Sequence, residues 1–259
     1  MRSLRYLQLA AVAILGACGS DSTGPTLDVT SLVDQMSSGS IATYSAISLS
    51  ASVPGVSAAV AIPSSSASSC AYSVSNQRFE CSPVAMNGLT ITRSYVLLDA
   101  SGRPMSVPNP LAVASIRTIT DVKGTLAGAS TFSNASSMTV DRHEDATMSG
   151  LQTAAHVLNG TSTQKLDFVI TEMPYSSSET SATTNLQLPS PSAASHWPLG
   201  GIITTDRTVT IAGVAASMTS HEVLSFDGTS VMTLTRTSGG LTRTCKFDLA
   251  KPATPPVCS

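Results

Sequence analysis

Hydroxyl side chains set the terms on which this chain folds. Of its 259 residues 43 are Ser and 31 are Thr, while Asp, Glu, Lys and Arg together supply only 12%, about half the quarter usual for a soluble domain. Ser competes with helical hydrogen bonding and is poor in helix interiors, whereas β-branched Thr suits a half-buried strand. At 42% the hydrophobic fraction is too large for a disordered chain. The composition therefore predicts an all-β domain. Fourteen basic against sixteen acidic side chains leave a formal charge of -2. That is no basic field for a phosphate backbone, so a nucleic-acid partner is not expected.

The first residues carry a different signal. Arg2 and Arg5 precede an apolar stretch from Leu7 to Leu15, broken by Gln8, which has the length of a secretory signal and falls short of the roughly twenty residues of a membrane span. It ends in Leu15-Gly16-Ala17-Cys18, which resembles the lipobox of bacterial lipoproteins: an aliphatic residue, two small residues and a cysteine. The resemblance covers only the first eighteen residues. It implies that residues 1–17 are a lipoprotein signal peptide cleaved before Cys18, that Cys18 receives a thioether-linked diacylglycerol, and that its new amino group is acylated. Several acyl chains make a stable anchor where one binds only marginally. Gly19, standing where an Asp would retain the protein, implies by the family's sorting rule an outer-membrane location. Residues 18–26, rich in Gly, Ser, Thr and Pro, then read as a lipid-anchored flexible tether, and 27–259 as a single β-rich domain. Removing Arg2 and Arg5 leaves 14 - 2 = 12 basic against 16 acidic groups, a charge of -4. The membrane is thus a partner through the lipid and not through surface charge.

With Cys18 lipidated, Cys70, Cys81, Cys245 and Cys258 remain, an even number in an oxidising compartment, with three possible pairings. Cys70 with Cys81 is preferred, because a hairpin turning at Ser75-Asn76 sets those cysteines opposite each other and Tyr72 opposite Phe79. Cys245 then closes onto Cys258 across a segment holding Pro252, Pro255 and Pro256. Zinc is the alternative, but neither pair has close ligand spacing or a nearby His.

The rest reads as strands between turn signals, an antiparallel meander forming a sandwich or a partly open barrel. Leu27, Leu32, Val33 and Met36 recur at helical spacing and predict one short N-terminal helix ending at Gly39. Two strands, or a strand and a crossing, are expected between Ile41 and Ile62. Asn87-Gly88 introduces a strand over Leu89 to Leu98, Asp99 to Gly102 is a turn, and further strands are expected over Ala112 to Leu126 and Ser136 to Ser149. Asn159-Gly160 predicts a two-residue hairpin joining Thr153–Leu158 to Thr161–Ile170. Asp227-Gly228 predicts another between Ser220–Phe226 and Val231–Thr237, and Gly239-Gly240 returns the chain through Leu241 to Leu249. Met173 to Gly200 reads as a long Ser, Thr and Pro-rich lid, rim or edge strand. Ile119, Val122 and Gly124 echo Val209, Ile211 and Gly213 too weakly to define a repeat.

Candidate chemistry is sparse. His196 and Trp197 are candidate ligand contacts on the long segment, against a packing role for Trp197 over one end of the sheet. Asp141, His143 and Asp145 alternate along one strand opposite Met138, Val140, Ala146 and Met148, and form either a row for a hard or borderline metal or a solvated face. His156 and His221-Glu222 complete a constellation only if the strands align. No Gly-x-Ser-x-Gly elbow, Walker loop, dinucleotide fingerprint or Cys-x-x-Cys pair occurs in the sequence, and no cofactor is expected. Three functions fit: a non-enzymatic, lipid-anchored binding or structural module of the cell envelope with an unknown protein, glycan or lipid partner; a carrier of an apolar ligand or lipid; and a metal-dependent hydrolase. An enzyme is the least expected.

Overall fold

A computed structural model describes residues 70–86, 88–109, 111–127, 135–170, 173–189, 197–213, 215, 217–250 and 257–259. The stretches where a signal peptide, a tether, a short helix and strands between Ile41 and Ile62 are expected lie outside the described residues. Thirteen strands follow: β1 (Cys70–Ser73), β2 (Arg78–Cys81), β3 (Val84–Met86), β4 (Leu89–Leu98), β5 (Ser115–Ala127), β6 (Ala135–Ser149), β7 (Ala155–Ile170), β8 (Met173–Pro189), β9 (Gly200–Ile211), β10 (Met218–Phe226), β11 (Val231–Ser238), β12 (Leu241–Asp248) and β13 (Val257–Cys258). They form one antiparallel sheet that runs in chain order from β1 to β13 and does not close, with β3 beside β2 on the same edge of β4.

Both disulfides expected from the spacing are present, Cys70 to Cys81 and Cys245 to Cys258. In the first hairpin Cys70 faces Cys81 and Tyr72 faces Phe79. Phe79 meets Tyr72 edge-on at 5.2 Å and stacks on Tyr95 at 4.8 Å, arrangements that add to simple burial. The Asp99 turn forms because its carboxylate accepts the backbone N–H of Ser101 and of Arg103.

Alternation gives the sheet one buried and one open face. At one end of the buried face lie Leu97, Ile116, Met148, Leu158, Leu186, Ile203, Leu224 and Met232, none more than 4% exposed; each such side chain contributes about 1.5–3 kcal/mol. Leu89, Val140, Leu166 and Val209 line the other end. The middle is polar: one cross-strand row runs Arg93, Thr120, Glu144, Ser162, Ser181, Thr205, Glu222 and Arg236 from β4 to β11. Met138, Val140, Ala146 and Met148 face inward as expected, but Arg142 and Glu144 between them are buried too.

Two expectations are corrected. Asn159-Gly160 is not a hairpin turn: β7 runs unbroken through it, with a register shift against β8. A Cβ on Gly160 would lie 2.9 Å from the Cβ of Ala146 and 2.8 Å from the Asp145 carbonyl, so glycine is there for the close approach of β6. The Asn159 side chain accepts the backbone N–H of Asn185 at 2.8 Å, holding the bulge open. Across it, Gly201 has φ +106 with its absent Cβ 2.4 Å from the Asn185 carbonyl. Second, most of the segment from Met173 is no lid or edge: β8 is a central strand of 17 residues. Its Ser177, Ser181 and Thr183 face the buried side and Ser178 and Thr180 the open one, an alternation of hydroxyls that hydrophobic patterning cannot reveal.

Candidate functional site

The open face of β4 to β12 carries a polar row across its middle. Its central row reads Thr92, Asp121, His143, Thr163, Thr180, Asp206, His221, Thr237 and Thr242, one residue from each strand. Direct cross-strand opposition brings Nδ1 of His143 to 2.9 Å from Asp121 and Nδ1 of His221 to 2.8 Å from Asp206. In each pair the aspartate orients the imidazole and leaves Nε2 directed away from it. Both histidine side chains are 49% exposed.

Asp141, His143 and Asp145 do project to one face, as alternation requires, but each has its own cross-strand partner. Lys123 sits 3.3 Å from Asp141, Asp121 holds His143, and Arg117 grips Asp145 with Nε at 2.9 Å and Nη2 at 2.6 Å. The Arg117 bonds hold the Asp145 carboxyl below the usual carboxylate range. Among the described residues no three His, Cys, Asp or Glu side chains gather as metal ligands. The wider constellation does not assemble either. His156 is buried on the other face, where desolvation pushes its pKa down, and His221 lies four strands from His143.

A groove of about 800 Å³ crosses the open face from Asp141 on β6 to the Gly239-Gly240 turn, over Thr163, Thr180, Asp206 and His221. Every residue lining it is polar, charged or glycine. A smaller concavity of about 350 Å³ lies over Thr90, Thr92, Asp121 and Lys123. Hydroxyls of Ser178, Thr208 and Thr219 stand where longer side chains would fill the larger groove. The face therefore offers fixed donors and acceptors in a broad trough, chemistry suited to binding a polar surface rather than to a single reaction centre.

Trp197 lies elsewhere. It is half-buried just before Pro198, whose carbonyl accepts the backbone N–H of Gly228 at 3.1 Å, while Leu199 donates to Gln187 at 2.7 Å. Those bonds seat residues 197–199 on the apolar end of the sheet, and six residue steps along β9, about 20 Å of strand, separate Gly200 from Asp206. His196 lies outside the described residues.

The buried face holds its own charges. Arg142 donates to Glu144 at 2.5 Å; Arg207 donates through Nε and Nη2 to Glu179 at 3.0 and 2.7 Å and approaches Glu222 at 3.7 Å, which Arg236 approaches at 3.5 Å. Burial pushes the Glu144 carboxyl up despite the opposing pull of Arg142. Sequence reasoning missed Asp121 and Asp206 and this ionic belt. The available signal was a repeated pair of doublets, Thr120-Asp121 with His143-Glu144 and Thr205-Asp206 with His221-Glu222. In each, adjacent residues fall on opposite faces of paired strands.

No protein-family model matches this chain, nor does any curated protein or solved structure.

Proposed function

We propose that this protein is a non-enzymatic binding module of the bacterial cell envelope, held by lipid on Cys18 at the outer membrane and engaging its partner through the open face of the sheet. The observation that carries the proposal is the groove of about 800 Å³ lined by polar, charged and glycine residues, on the face that the described residues leave exposed. The opposite face is occupied by the protein's own side chains, with ion pairs in its middle where an apolar cargo would need apolar walls. That disfavours a lipid carrier. Charges at Asp121, Lys123, Asp141, Lys165 and Asp206 on the open face also oppose the lipid-facing apolar band of a membrane-spanning barrel. The hydrolase reading has least support, because Asp141, His143 and Asp145 are each paired across strands, with Lys123, Asp121 and Arg117.

Two measurements test the proposal. Intact mass of membrane-extracted protein should give a chain beginning at Cys18 with acyl mass, and a Cys18→Ser variant should lack it; an unlipidated wild-type chain refutes the anchor. The full chain carrying Cys18→Ser should co-sediment with isolated envelope fragments. Filling the groove with Thr180→Trp and Thr208→Arg should reduce that binding at least tenfold without lowering the melting temperature. Equal sedimentation of the filled protein would refute the open face as the binding face.

A further inference from the structure

The central row of the open face is the same four residues written twice. Reading across β4 to β7 gives Thr92, Asp121, His143, Thr163, and across β8 to β11 gives Thr180, Asp206, His221, Thr237. The match extends to the two middle positions of the adjacent inward row and not to its ends, where Arg93 and Ser162 in the first unit correspond to Ser181 and Arg236 in the second. The adjacent inward row places Thr120 opposite Glu144 in the first unit and Thr205 opposite Glu222 in the second. Both aspartates bind the Nδ1 of their histidine at nearly the same distance, 2.9 and 2.8 Å. Each aspartate also lines a concavity, Asp121 the smaller and Asp206 the larger. This register differs from the echo of Ile119, Val122 and Gly124 in Val209, Ile211 and Gly213: Asp121 corresponds to Asp206, which makes Val209 the counterpart of Gly124.

We infer that β4–β7 and β8–β11 are two equivalent units whose Asp121–His143 and Asp206–His221 pairs form a bivalent site for a neutral polysaccharide. The inference rests on the open face being the binding face. The two histidines lie four strand spacings apart, about 19 Å along the sheet, in one cross-strand row, so an extended ligand that repeats can reach both at once. Each unit offers an imidazole Nε2, a carboxylate and Thr hydroxyls in fixed positions, a mixture of donors and acceptors that suits sugar hydroxyls. Charge selects against polyelectrolytes. Asp121 stands with Lys123 in the smaller concavity, and Asp141, Glu179 and Asp206 stand with Lys165 and Arg207 in the larger, so charges of both signs are interleaved along the row. No apolar residue lines the larger concavity, which disfavours an apolar chain as the repeating ligand.

The test uses the full chain with Cys18→Ser and three neutral polymers, dextran, soluble starch and galactomannan, each compared by calorimetry with its own trisaccharide. At least one polymer should bind 100-fold or more tighter per chain than its trisaccharide, the gain expected when a second contact becomes intramolecular. His143→Ala and His221→Ala should each return polymer affinity to about the trisaccharide level, and the double variant should abolish binding. His143→Gln and His221→Gln, which keep a hydrogen-bonding group against the aspartate, should recover part of it. Equal affinity for polymer and trisaccharide, or dependence on only one histidine, would overturn bivalency. Binding to dextran sulfate or to peptides in place of all three neutral polymers would overturn the ligand class. Retained groove-dependent sedimentation without any binding to the neutral polymers would overturn this inference and leave the binding face standing; loss of groove dependence in sedimentation would overturn both.

Discussion

Replacing Arg207 with Met should destabilise the protein far more than any change on the open face. The Arg207 side chain is 1% exposed, and it donates two bonds to Glu179, itself 6% exposed, while standing 3.7 Å from fully buried Glu222. Each charge-assisted bond contributes about 1.5–3 kcal/mol, and breaking a buried pair by removing one partner costs about 3–5 kcal/mol. The loss should therefore be about 3–5 kcal/mol, because Glu179 is left buried without its bonded partner and Glu222 loses a neighbouring cation. Urea denaturation followed by far-ultraviolet circular dichroism measures it. Arg117→Ala is the control, since the Arg117–Asp145 pair is partly exposed and surface pairs contribute about 1 kcal/mol or less. If Arg207→Met costs no more than Arg117→Ala, the buried ionic belt does not carry the stability assigned to it.

Three further outcomes are expected. His156 has its pKa lowered by burial from 6.5, so the stability it contributes is present above pH 6.5 and is lost as pH falls through the folded value; His156→Gln should flatten the melting temperature between pH 6.5 and 5. Gly160→Val should cost about 1–3 kcal/mol through overpacking, because its Cβ would meet Ala146 and Asp145 at under 3 Å, whereas a turn at this position would tolerate the change. Replacing Cys245 and Cys258 together with Ser should lower stability by about 3 kcal/mol and raise hydrogen exchange in residues 257–259, which pair with β12 through Cys245 and Lys246; unchanged exchange would show that the strand holds without its bond.

Local chemistry made parts of this fold legible. The Cys70–Cys81 hairpin, β4, the Asp99 turn and the β10–β11–β12 meander follow from cysteine spacing, apolar alternation and Gly-containing turns. Asn159-Gly160 misleads because the same dipeptide serves a tight turn and a close strand approach, and only Ala146, far away in sequence, decides between them. β8 hides because Ser and Thr serve both faces, leaving no hydrophobic period to detect. For the candidate site the spacing from Asp121 to His143 differs from that between Asp206 and His221, since β5 and β6 are longer than β9 and β10. The equivalence is a property of strand register, and it becomes visible only once the strands are paired.

The position of the two disulfides has a mechanical consequence. A meander pulled at its ends opens like a zipper, one strand pair at a time, beginning at the outermost hairpin. Here the outermost pair at each edge, β1 with β2 and β12 with β13, is covalently closed. Tension arriving from the Cys18 side passes through Cys70 directly to β2, and the first seam able to yield becomes β2–β4, joined at Phe79–Tyr95 and Glu80–Ser94. Tension on the other edge passes from Cys258 to Cys245 in the middle of β12, where eight residue pairs hold the strand to β11. Load on the N-terminal side should therefore detach the small stapled hairpin while the eight strands that carry the Thr–Asp–His–Thr row stay assembled.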